Sequence, residues 1–285
     1  MKKLMIFDGN SILNRAFYGI KMLSNSKGVF TNGIYGFLNI YFKFMEEENP
    51  DYVAVAFDVR EKTFRHKMYD GYKAQRKGMP EELASQLPLL KDILKAMNVT
   101  ILESPGFEAD DIIGTVSKRC EEQNILCRIV TGDKDDLQLA SSNTTVKLII
   151  TKMGRTETSD YDDKAVFEKF GVTPKEFIAV KALMGDNSDN IPGVPGIGEK
   201  GAFELIKEYK SLDNLYNNLD DLKGAKKTKI EEGKDLAYLS YTLSTIVRDM
   251  PLSAEINDMT VNNYDNDSLF EILDILELKT IISKM

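Results

Sequence analysis

Short apolar runs alternate with helical patterns along the first half of the chain. The runs are typical of buried strands, and the segments between them place apolar residues at helical spacing. The predicted strands are Leu4–Phe7, Tyr52–Phe57, Val99–Leu102, Cys127–Thr131 and Val146–Ile150. The predicted helices are Ile12–Tyr18, Gly33–Glu48, Glu81–Met97 and Ala109–Gln123. This alternation predicts an α/β fold with a mostly parallel sheet covered by helices on both faces.

The second half of the chain has a different pattern, because strand-like runs stop after about Tyr161. Short helical segments follow, separated by Gly and Pro, and a Lys-rich stretch precedes the apolar run Leu236–Ile246. The predicted helical segments are Asp163–Phe170, Pro174–Met184, Gly198–Tyr209, Ser211–Asn218, Leu236–Ile246 and a closing helix at Leu269–Ile282. We therefore expect a mostly helical region that packs against the sheet.

An acid follows three of the predicted strands: Asp8 and Asp58 come directly after their strands, and Asp133 comes after Gly132. If these strands are parallel neighbours, the three carboxylates converge at one edge of the sheet, where ligands bind in such folds. Two unpaired like charges about 4 Å apart repel by roughly 4 kcal/mol at an effective dielectric near 20. The convergence therefore predicts bound cations, and oxygen-only ligands favour Mg²⁺ or Mn²⁺.

Further acids lie in two turns that open helices and in one acidic Gly-flanked loop. They bring the candidate metal ligands to nine, namely Asp8, Asp58, Glu108, Asp110, Asp111, Asp133, Asp135, Asp186 and Asp189. A single acid in a first helical turn is explained by the helix dipole, but three acids within four residues, as in 108–111, exceed that need. Asp136, in contrast, is predicted to be an ordinary acid at a helix N-terminus.

The amino-acid composition limits the kinds of catalytic chemistry that are available to the chain. The chain has 285 residues and a net charge of −8, with His66 as its single histidine and Cys120 and Cys127 as its two cysteines. Histidine-based general-base chemistry and zinc chemistry are thereby nearly excluded, and two reduced thiols fit a cytosolic protein. No apolar run approaches the ~20 residues of a membrane span, and no signal-peptide pattern is present, so no membrane association is expected.

Positive charge is concentrated between Arg60 and Met79, where seven basic residues face two acidic ones. Phe64 and Tyr72 are interleaved with the basic residues, a composition suited to stacking on bases and gripping phosphates of a single strand. The alternatives are a solvated helix face for the charges and core positions for the aromatic residues.

A glycine-rich hairpin, Gly193–Gly198, directly follows the acidic loop that contains Asp186 and Asp189. It resembles the hairpin of a helix-hairpin-helix motif, in which glycines let the backbone approach a phosphate closely. Contacts of this kind bind DNA without reading its sequence. A simple Gly/Pro loop is the alternative.

Together these segments resemble the 5′ nuclease family, and most closely the N-terminal 5′–3′ exonuclease (flap endonuclease) domain of bacterial DNA polymerase I. The motifs that carry the resemblance run in the family's order, namely Phe7-Asp8-Gly9, Phe57-Asp58, Thr63-Phe64-Arg65-His66, Tyr72-Lys73-Ala74, Glu108-Ala109-Asp110-Asp111, Thr131-Gly132-Asp133-Lys134-Asp135 and Gly185-Asp186-Asn187-Ser188-Asp189-Asn190. The resemblance implies a PIN-like nuclease core at 1–170 with a helical arch at about 60–82. It also implies a helical helix-hairpin-helix DNA-binding region with closing helices at 171–285. One departure is Asn14, where relatives often have an aromatic residue.

The resemblance further implies two metal ions, Mg²⁺ or Mn²⁺. Asp8, Asp58, Glu108, Asp110 and Asp111 would serve the first ion, and Asp133, Asp135, Asp186 and Asp189 the second, some of them through water. Lys73 and Arg76, grouped with Asp8 and Asp58 as catalytic, would steer the scissile phosphate. DNA contacts are implied for Arg15, Arg65, Tyr72, Lys73, Arg76, Gly193, Gly196, Gly198 and Lys200, with a potassium ion at the hairpin.

The implied function is a structure-specific 5′–3′ exonuclease or flap endonuclease that hydrolyses DNA phosphodiesters by two-metal-ion catalysis. Its partners would be DNA with 5′ flaps, nicks or 5′ ends and a DNA polymerase in cis or in trans. It would act as a monomer in replication, including primer and Okazaki-fragment processing, and in repair. Its location would be the bacterial cytoplasm, at the nucleoid. A PIN-type ribonuclease, a non-catalytic branched-DNA-binding module and a D-x-D phosphatase are the alternative functions.

Overall fold

A computed structural model describes residues 1–152 and 155–284. Six strands form one sheet in the order β3-β2-β1-β4-β5-β6, and the first five strands are parallel. Their bounds are β1 Lys3–Asp8, β2 Tyr52–Ala56, β3 Thr100–Leu102, β4 Leu126–Thr131, β5 Thr144–Lys152 and β6 Arg155–Tyr161. The predicted mostly parallel α/β sheet is confirmed, and β2, β1 and β4 are direct neighbours in it.

Strand β6 was not predicted from the sequence. It pairs antiparallel with β5 at the edge of the sheet. Its sequence, RTETSDY, is polar almost throughout, and edge strands need less apolar burial than central ones. A pattern search based on apolar runs therefore does not detect it.

The helices of the first half lie close to their predicted positions. Their bounds are α1 Gly9–Gly19, α2 Asn32–Glu48, α3 Phe64–Met68, α4 Glu81–Ala84, α5 Gln86–Ala96 and α6 Ala109–Glu122. The predicted helix Glu81–Met97 is divided at Ser85 into α4 and α5. The segment predicted as the arch, 60–82, contains the five-residue helix α3, a series of turns and the start of α4.

Side chains of the central strands alternate between two buried clusters, one on each face of the sheet. In β1, Leu4 and Ile6 belong to the cluster that includes α6, whereas Met5 and Phe7 belong to the cluster that includes α1, α2 and α5. Both faces of the strand are buried, which explains its uninterrupted apolar sequence.

The second half is helical, as predicted. Its helices are α7 Asp163–Phe170, α8 Pro174–Met184, α9 Glu199–Tyr209, α10 Leu212–Asn217, α11 Gly224–Glu232, α12 Lys234–Ser244, α13 Asn266–Ile275 and α14 Lys279–Ile282. Residues of α7 to α12 share the buried cluster of α6. The closing helix predicted at Leu269–Ile282 is interrupted at Glu277, whose φ of 59° is left-handed. Its two parts, α13 and α14, return to the opposite face, where Leu269, Leu273 and Ile281 pack in the cluster of α2 and α5.

Within the described residues, the structure contains no helix whose length and apolar character would suffice to cross a membrane.

Glu48, at the end of α2, ties this helix to the sheet. Its carboxylate lies 2.8 Å from the Nζ of Lys3 in β1 and 2.8 Å from the Nζ of Lys147 in β5. Burial opposes ionisation of Glu48, but the two lysines outweigh it and lower the pKa of Glu48 to about 2. The carboxylate is thus charged throughout the physiological range.

We expect Glu48→Gln to lower the free energy of unfolding at pH 7 by about 2 kcal/mol, because it removes charge-assisted hydrogen bonds. The folded-state pKa is depressed, so this stabilisation is present above pH 4.5 and is lost as the pH falls from 4.5 to about 2. Urea unfolding of the wild type and the variant at pH 7 and at pH 3 measures the difference in unfolding free energy at each pH. The control is Glu47→Gln, whose exposed carboxylate lies 3.8 Å from Lys43. An equal loss for Glu47→Gln would show that Glu48 has no special role.

Candidate active site

The carboxyl ends of β2, β1 and β4 lie side by side and place Asp8, Asp58 and Asp133 at one edge of the sheet. A cavity of about 730 Å³ opens above this edge. Its lining includes acids from five segments and bases from two, namely Asp8, Asp58, Glu108, Asp110, Asp133, Asp135, Asp189, Arg15, Lys73, Arg76 and Lys77. The structure therefore brings seven of the nine predicted metal ligands into one cavity.

Asp8 is the most buried acid among those that line the cavity at the strand ends. One of its oxygens accepts the backbone N–H of Ser11 at 3.0 Å, which caps α1, and the other accepts the Thr131 hydroxyl at 3.1 Å. Burial, reinforced by the neighbouring charges of Asp58 and Asp133, raises the pKa of Asp8 to about 7. Removing this side chain from water is thus costly in the metal-free protein.

Helix α6 begins at the cavity wall and directs Asp110 toward Asp8. Burial raises the pKa of Asp110 well above its usual range, and Asp136 and Asp8 raise it further. The backbone N–H of Ala109, in the same helical turn, donates to Asp58 at 2.8 Å. The N-terminus of α6 therefore holds one cavity acid through its backbone and supplies another.

Glu108 precedes α6 and is held by the arch segment. Its carboxylate lies 2.8 Å from the Nζ of Lys73 and accepts the Tyr72 hydroxyl at 2.9 Å. Tyr72 is only 3% exposed, and its hydroxyl also lies 3.3 Å from Asp189. The structure thus differs from the prediction that Tyr72 contacts DNA: the ring is buried and its hydroxyl positions two acids.

Asp111 and Arg65 form a buried ion pair, which also differs from their predicted roles in metal and DNA binding. The guanidinium donates two hydrogen bonds to the carboxylate, at 2.7 and 2.8 Å. It also donates to the backbone carbonyls of Leu243 and Thr245. Asp111 is 0% exposed and Arg65 is 2% exposed. Neither side chain reaches the cavity, because the pair joins the arch segment to α6 and α12.

The acidic loop of Asp186 is connected to Asp135 by Lys181, a residue that the sequence reading did not select. The Lys181 Nζ lies 2.8 Å from Asp135 and forms an ion pair with Asp186. Burial raises the pKa of Asp135 to about 6 despite Lys181, whereas Lys181 and Ser188 outweigh burial at Asp186 and lower its pKa to about 2. These two predicted ligands of a second metal ion are therefore paired with an ammonium group, and Asp186 does not line the cavity.

Asp189, in the same loop, is likewise paired with bases. It forms an ion pair with Arg76, and the Lys73 Nζ lies 3.8 Å from its carboxylate. The backbone N–H of Lys73 donates to the Asp189 carbonyl at 2.8 Å, and Lys73 has a left-handed φ of 53°. These contacts fold the arch segment onto the acidic loop and direct both predicted phosphate-steering residues into the cavity.

Arg15 reaches the cavity from α1. Its Nη2 donates to the Gly132 carbonyl at 2.9 Å, while its Nε is buried without a hydrogen-bond partner in the described residues. Asn14, the position where the sequence departs from the family, also lines the cavity.

The glycine-rich hairpin lies apart from the acidic cavity. Gly196, Gly198 and Lys200 are exposed and line a second cavity of about 500 Å³ with Lys226 and Lys229 of α11. The left-handed φ of Gly196, 79°, would strain any other residue. Gly193 differs from its predicted role, because it is buried and its N–H donates to the Ser240 hydroxyl at 3.0 Å.

The sequence did not predict a role at this site for Lys181 or for Asp136. Lys181 interrupts the apolar helix α8, so its position in Phe-Ile-Ala-Val-Lys-Ala-Leu was a detectable sign. Asp136 is fully buried and lies beside Asp8 and Asp110, and the carboxylate oxygens of these three residues are within 4.8 Å of one another. No sequence sign separates Asp136 from an ordinary first-turn acid.

The donor set fits a hard divalent cation. All ligand atoms at the sheet edge are carboxylate oxygens, and the charges of Asp8, Asp110 and Asp136 are too close to coexist without compensation. A cavity with this acidic floor and with Arg15, Lys73 and Arg76 around it can hold a cation and a phosphate together. The fold and the site thus define the class of metal-dependent nucleases.

Two family models cover almost the whole chain. The 5′–3′ exonuclease N-terminal resolvase-like domain matches residues 3–171, and the 5′–3′ exonuclease C-terminal SAM fold matches residues 172–267. The chain belongs to the 5′–3′ exonuclease family.

Curated relatives named DNA polymerase I support this assignment. The chain is 47% identical to the protein of Caldicellulosiruptor bescii over 283 residues, which cover 99% of this chain and 33% of that protein. It is 41% identical to the protein of Bacillus subtilis over 285 residues, covering 100% of this chain and 32% of that protein. The chain therefore spans about a third of the length of these relatives.

Solved structures share the fold at low sequence identity. Phage T5 D15 protein, co-crystallised with metal ions, has a TM-score of 0.70 and 21% identity, with 99% of each chain covered. The catalytic core of Rad2 in complex with a DNA substrate has a TM-score of 0.65 and 15% identity, covering 100% of this chain and 92% of that one.

Proposed function

We propose that this chain is a structure-specific 5′–3′ exonuclease and flap endonuclease that cleaves DNA carrying 5′ flaps, nicks or 5′ ends. The observation that carries the proposal is the single cavity in which strand-end acids form the floor and Arg15, Lys73 and Arg76 form the walls. Acids alone would suit many cation sites. Their combination with three bases suits a phosphodiester, which needs both cation and phosphate contacts.

We infer two divalent cations, Mg²⁺ or Mn²⁺. Asp8, Asp58, Glu108 and Asp110 would hold the first, and Asp133 would hold the second with Asp135, Asp186 and Asp189 acting through water. When bound, such cations lower the pKa of a water ligand and stabilise the charge that develops on the phosphate. Asp111 is left out of this set, because its pair with Arg65 makes it a positioning residue for the first turn of α6.

Lys73 and Arg76 would steer the scissile phosphate. Their present partners, Glu108 and Asp189, are themselves proposed to serve the cations. Cations bound to these acids would weaken the two ion pairs, and both side chains would then be available to the phosphate. The charge of Lys73 and Arg76 would stabilise the transition state where negative charge increases.

The exposed hairpin would bind the downstream duplex. Gly196, Gly198, Lys200, Lys226 and Lys229 present backbone groups and four-carbon ammonium side chains around one cavity, which suits phosphates rather than base edges. Little sequence preference is therefore expected, and substrates would be selected by shape. We also propose that a potassium ion binds at this hairpin. The dependence of duplex affinity on K⁺ concentration tests this.

The cellular setting that we propose is replication and repair in the bacterial cytoplasm, at the nucleoid, with removal of RNA primers and processing of Okazaki fragments. The support is that the relatives are bacterial proteins named DNA polymerase I. We propose that the chain acts as a monomer and that a DNA polymerase, in cis or in trans, extends the strand behind the cleaved flap.

The test is cleavage of a 5′-flap DNA labelled at each end, in Mg²⁺ and in EDTA, by the wild-type chain and by Asp133→Ala. We expect cleavage in Mg²⁺ that leaves a 5′ phosphate, no cleavage in EDTA, and a loss of at least about 100-fold for Asp133→Ala with flap binding retained. The control is Asp92→Asn, an exposed acid on α5 that should cleave like the wild type.

Each other result has a definite meaning. Wild-type rates for Asp133→Ala would remove Asp133 from the metal site, and cleavage in EDTA would remove the metals. Tight flap binding without cleavage in either Mg²⁺ or Mn²⁺ would identify a non-catalytic DNA-binding module. Faster cleavage of an RNA flap than of the DNA flap would favour a PIN-type ribonuclease.

A further inference from the structure

Asp136 is a buried acid that has no hydrogen-bonding partner among the described residues. It lies in the 3-10 helix Asp135–Leu139, directly after the loop that follows β4. Its side chain is 0% exposed, and neither of its carboxylate oxygens accepts a hydrogen bond from any described residue. Buried carboxylate oxygens are nearly always paired in folded proteins, because removing them from water unpaired is costly.

Helix capping does not explain this position, contrary to the sequence reading of Asp136 as an ordinary N-terminal acid. An acid at a helix start is useful when it accepts a free backbone N–H. Here Asp133 performs that task by accepting the N–H of Asp135 at 2.9 Å. The Thr131 hydroxyl at the end of β4 donates its hydrogen to Asp8.

The side chain of Asp136 is directed toward the floor of the active-site cavity. One of its oxygens lies within 4.8 Å of carboxylate oxygens of both Asp8 and Asp110. Two oxygens on opposite sides of one Mg²⁺ are about 4.2 Å apart, since each Mg–O distance is about 2.1 Å. Shifts of a few tenths of an ångström would therefore place all three oxygens around one cation.

We propose that Asp136 is a further ligand of the first metal ion, which it binds from beneath together with Asp8 and Asp110. A third carboxylate from the protein interior would raise the affinity of this site for a divalent cation. It would also anchor that cation to the 3-10 helix, on the side of the cavity away from the phosphate. This inference rests on the proposed function, since it assumes that a cation binds between Asp8 and Asp110.

The experiment measures Mn²⁺ binding directly, without DNA, by the loss of the free Mn²⁺ electron paramagnetic resonance signal on titration of the whole chain. Asp136→Asn, Asp136→Leu and the control Asp92→Asn are compared with the wild type. We expect both Asp136 variants to raise the dissociation constant of the tighter site at least about tenfold, and Asp92→Asn to leave it unchanged. Thermal unfolding in EDTA confirms that each variant is folded, and Asp136→Leu serves if the Asn variant is not.

Wild-type Mn²⁺ affinity in Asp136→Asn would overturn the inference, because a neutral amide would then serve as well as the carboxylate. Weaker binding in Asp136→Leu alone would also overturn it, since only the shape or a hydrogen bond of the side chain would matter. Failure of the proposed function gives a different result: the wild type itself would bind no Mn²⁺ or would not cleave a flap. A wild type that binds Mn²⁺ and cleaves, with Asp136→Asn unchanged, refutes only the role of Asp136.

Discussion

Asp8→Asn should reduce flap cleavage by at least about a thousandfold and, at the same time, stabilise the metal-free protein. Asp8 lies at the centre of the proposed first metal site, and loss of about 4 kcal/mol of transition-state stabilisation corresponds to a factor of about a thousand. Asparagine keeps the side-chain shape and one acceptor for the Ser11 N–H and removes the charge. The measurements are single-turnover cleavage in Mg²⁺ and thermal unfolding in EDTA.

The gain in stability follows from the pKa of Asp8, which burial raises to about 7 from 3.8. Between these two values the unfolded chain has lost a proton that the folded chain retains, so the wild type loses stability as the pH rises from about 4 to 7. We expect Asp8→Asn to flatten this decline and to raise Tm at pH 8 by about 5–10 °C. Addition of Mn²⁺ should raise Tm of the wild type by more than that of the variant, which keeps only the proposed second site intact.

An opposite pattern would contradict the role of Asp8. If Asp8→Asn cleaves normally, the cation is held without this residue. The variant could instead be less stable than the wild type in EDTA at pH 8. In that case the hydrogen bonds of the Asp8 carboxylate outweigh the cost of its burial.

Arg65→Ala should lower the free energy of unfolding by about 3–5 kcal/mol, because it leaves the buried carboxylate of Asp111 without its partner. It also leaves the backbone carbonyls of Leu243 and Thr245 without the guanidinium donors. The corresponding decrease in Tm is about 10 °C or more for a chain of this size. Urea unfolding with the linear extrapolation measures the loss.

A double variant separates an unpaired charge from lost packing. We expect Arg65→Met with Asp111→Leu to recover part of the lost stability, because no unpaired buried charge remains. The recovery is incomplete, since the backbone groups that these two side chains bond, at Glu108, Leu243, Thr245 and Val247, lose their partners. Lys200→Ala is the matched control for DNA binding, since this exposed residue lines the hairpin cavity and should affect duplex affinity but not Tm. If Arg65→Ala keeps its Tm and loses DNA affinity, Arg65 contacts DNA, as the sequence first indicated.

Local pattern was sufficient to predict most of the fold. Strands buried on both faces have mostly apolar sequences, and β1, β2 and β4 were found for that reason. Strand β6 was missed because an edge strand can be polar. The division at Glu277 was missed because a left-handed residue, rather than a change in apolar spacing, ends the helix. Ser85 keeps helical dihedral angles, and apolar spacing gives no sign of the division there.

The convergence of acids could also be predicted, because the carboxyl ends of neighbouring parallel strands must meet at one edge. The amino-acid sequence was thus enough to predict the parallel strands of the sheet, the acidic edge with Asp8, Asp58 and Asp133, and the glycine-rich hairpin. All three depend on residue type and on periods of a few residues, which are visible without coordinates.

The packing of distant elements, in contrast, was needed to show which charged residues lie at the site and which stabilise the fold. Arg65 and Asp111 are 46 residues apart and became a buried pair, whereas Asp136 turned inward beneath Asp8 and Asp110. Burial and pairing depend on elements that meet only after folding, and a charge costs or contributes free energy according to that environment. Spacing along the chain does not give the distances between such elements. It therefore predicted the acids of the site but not the role of each one.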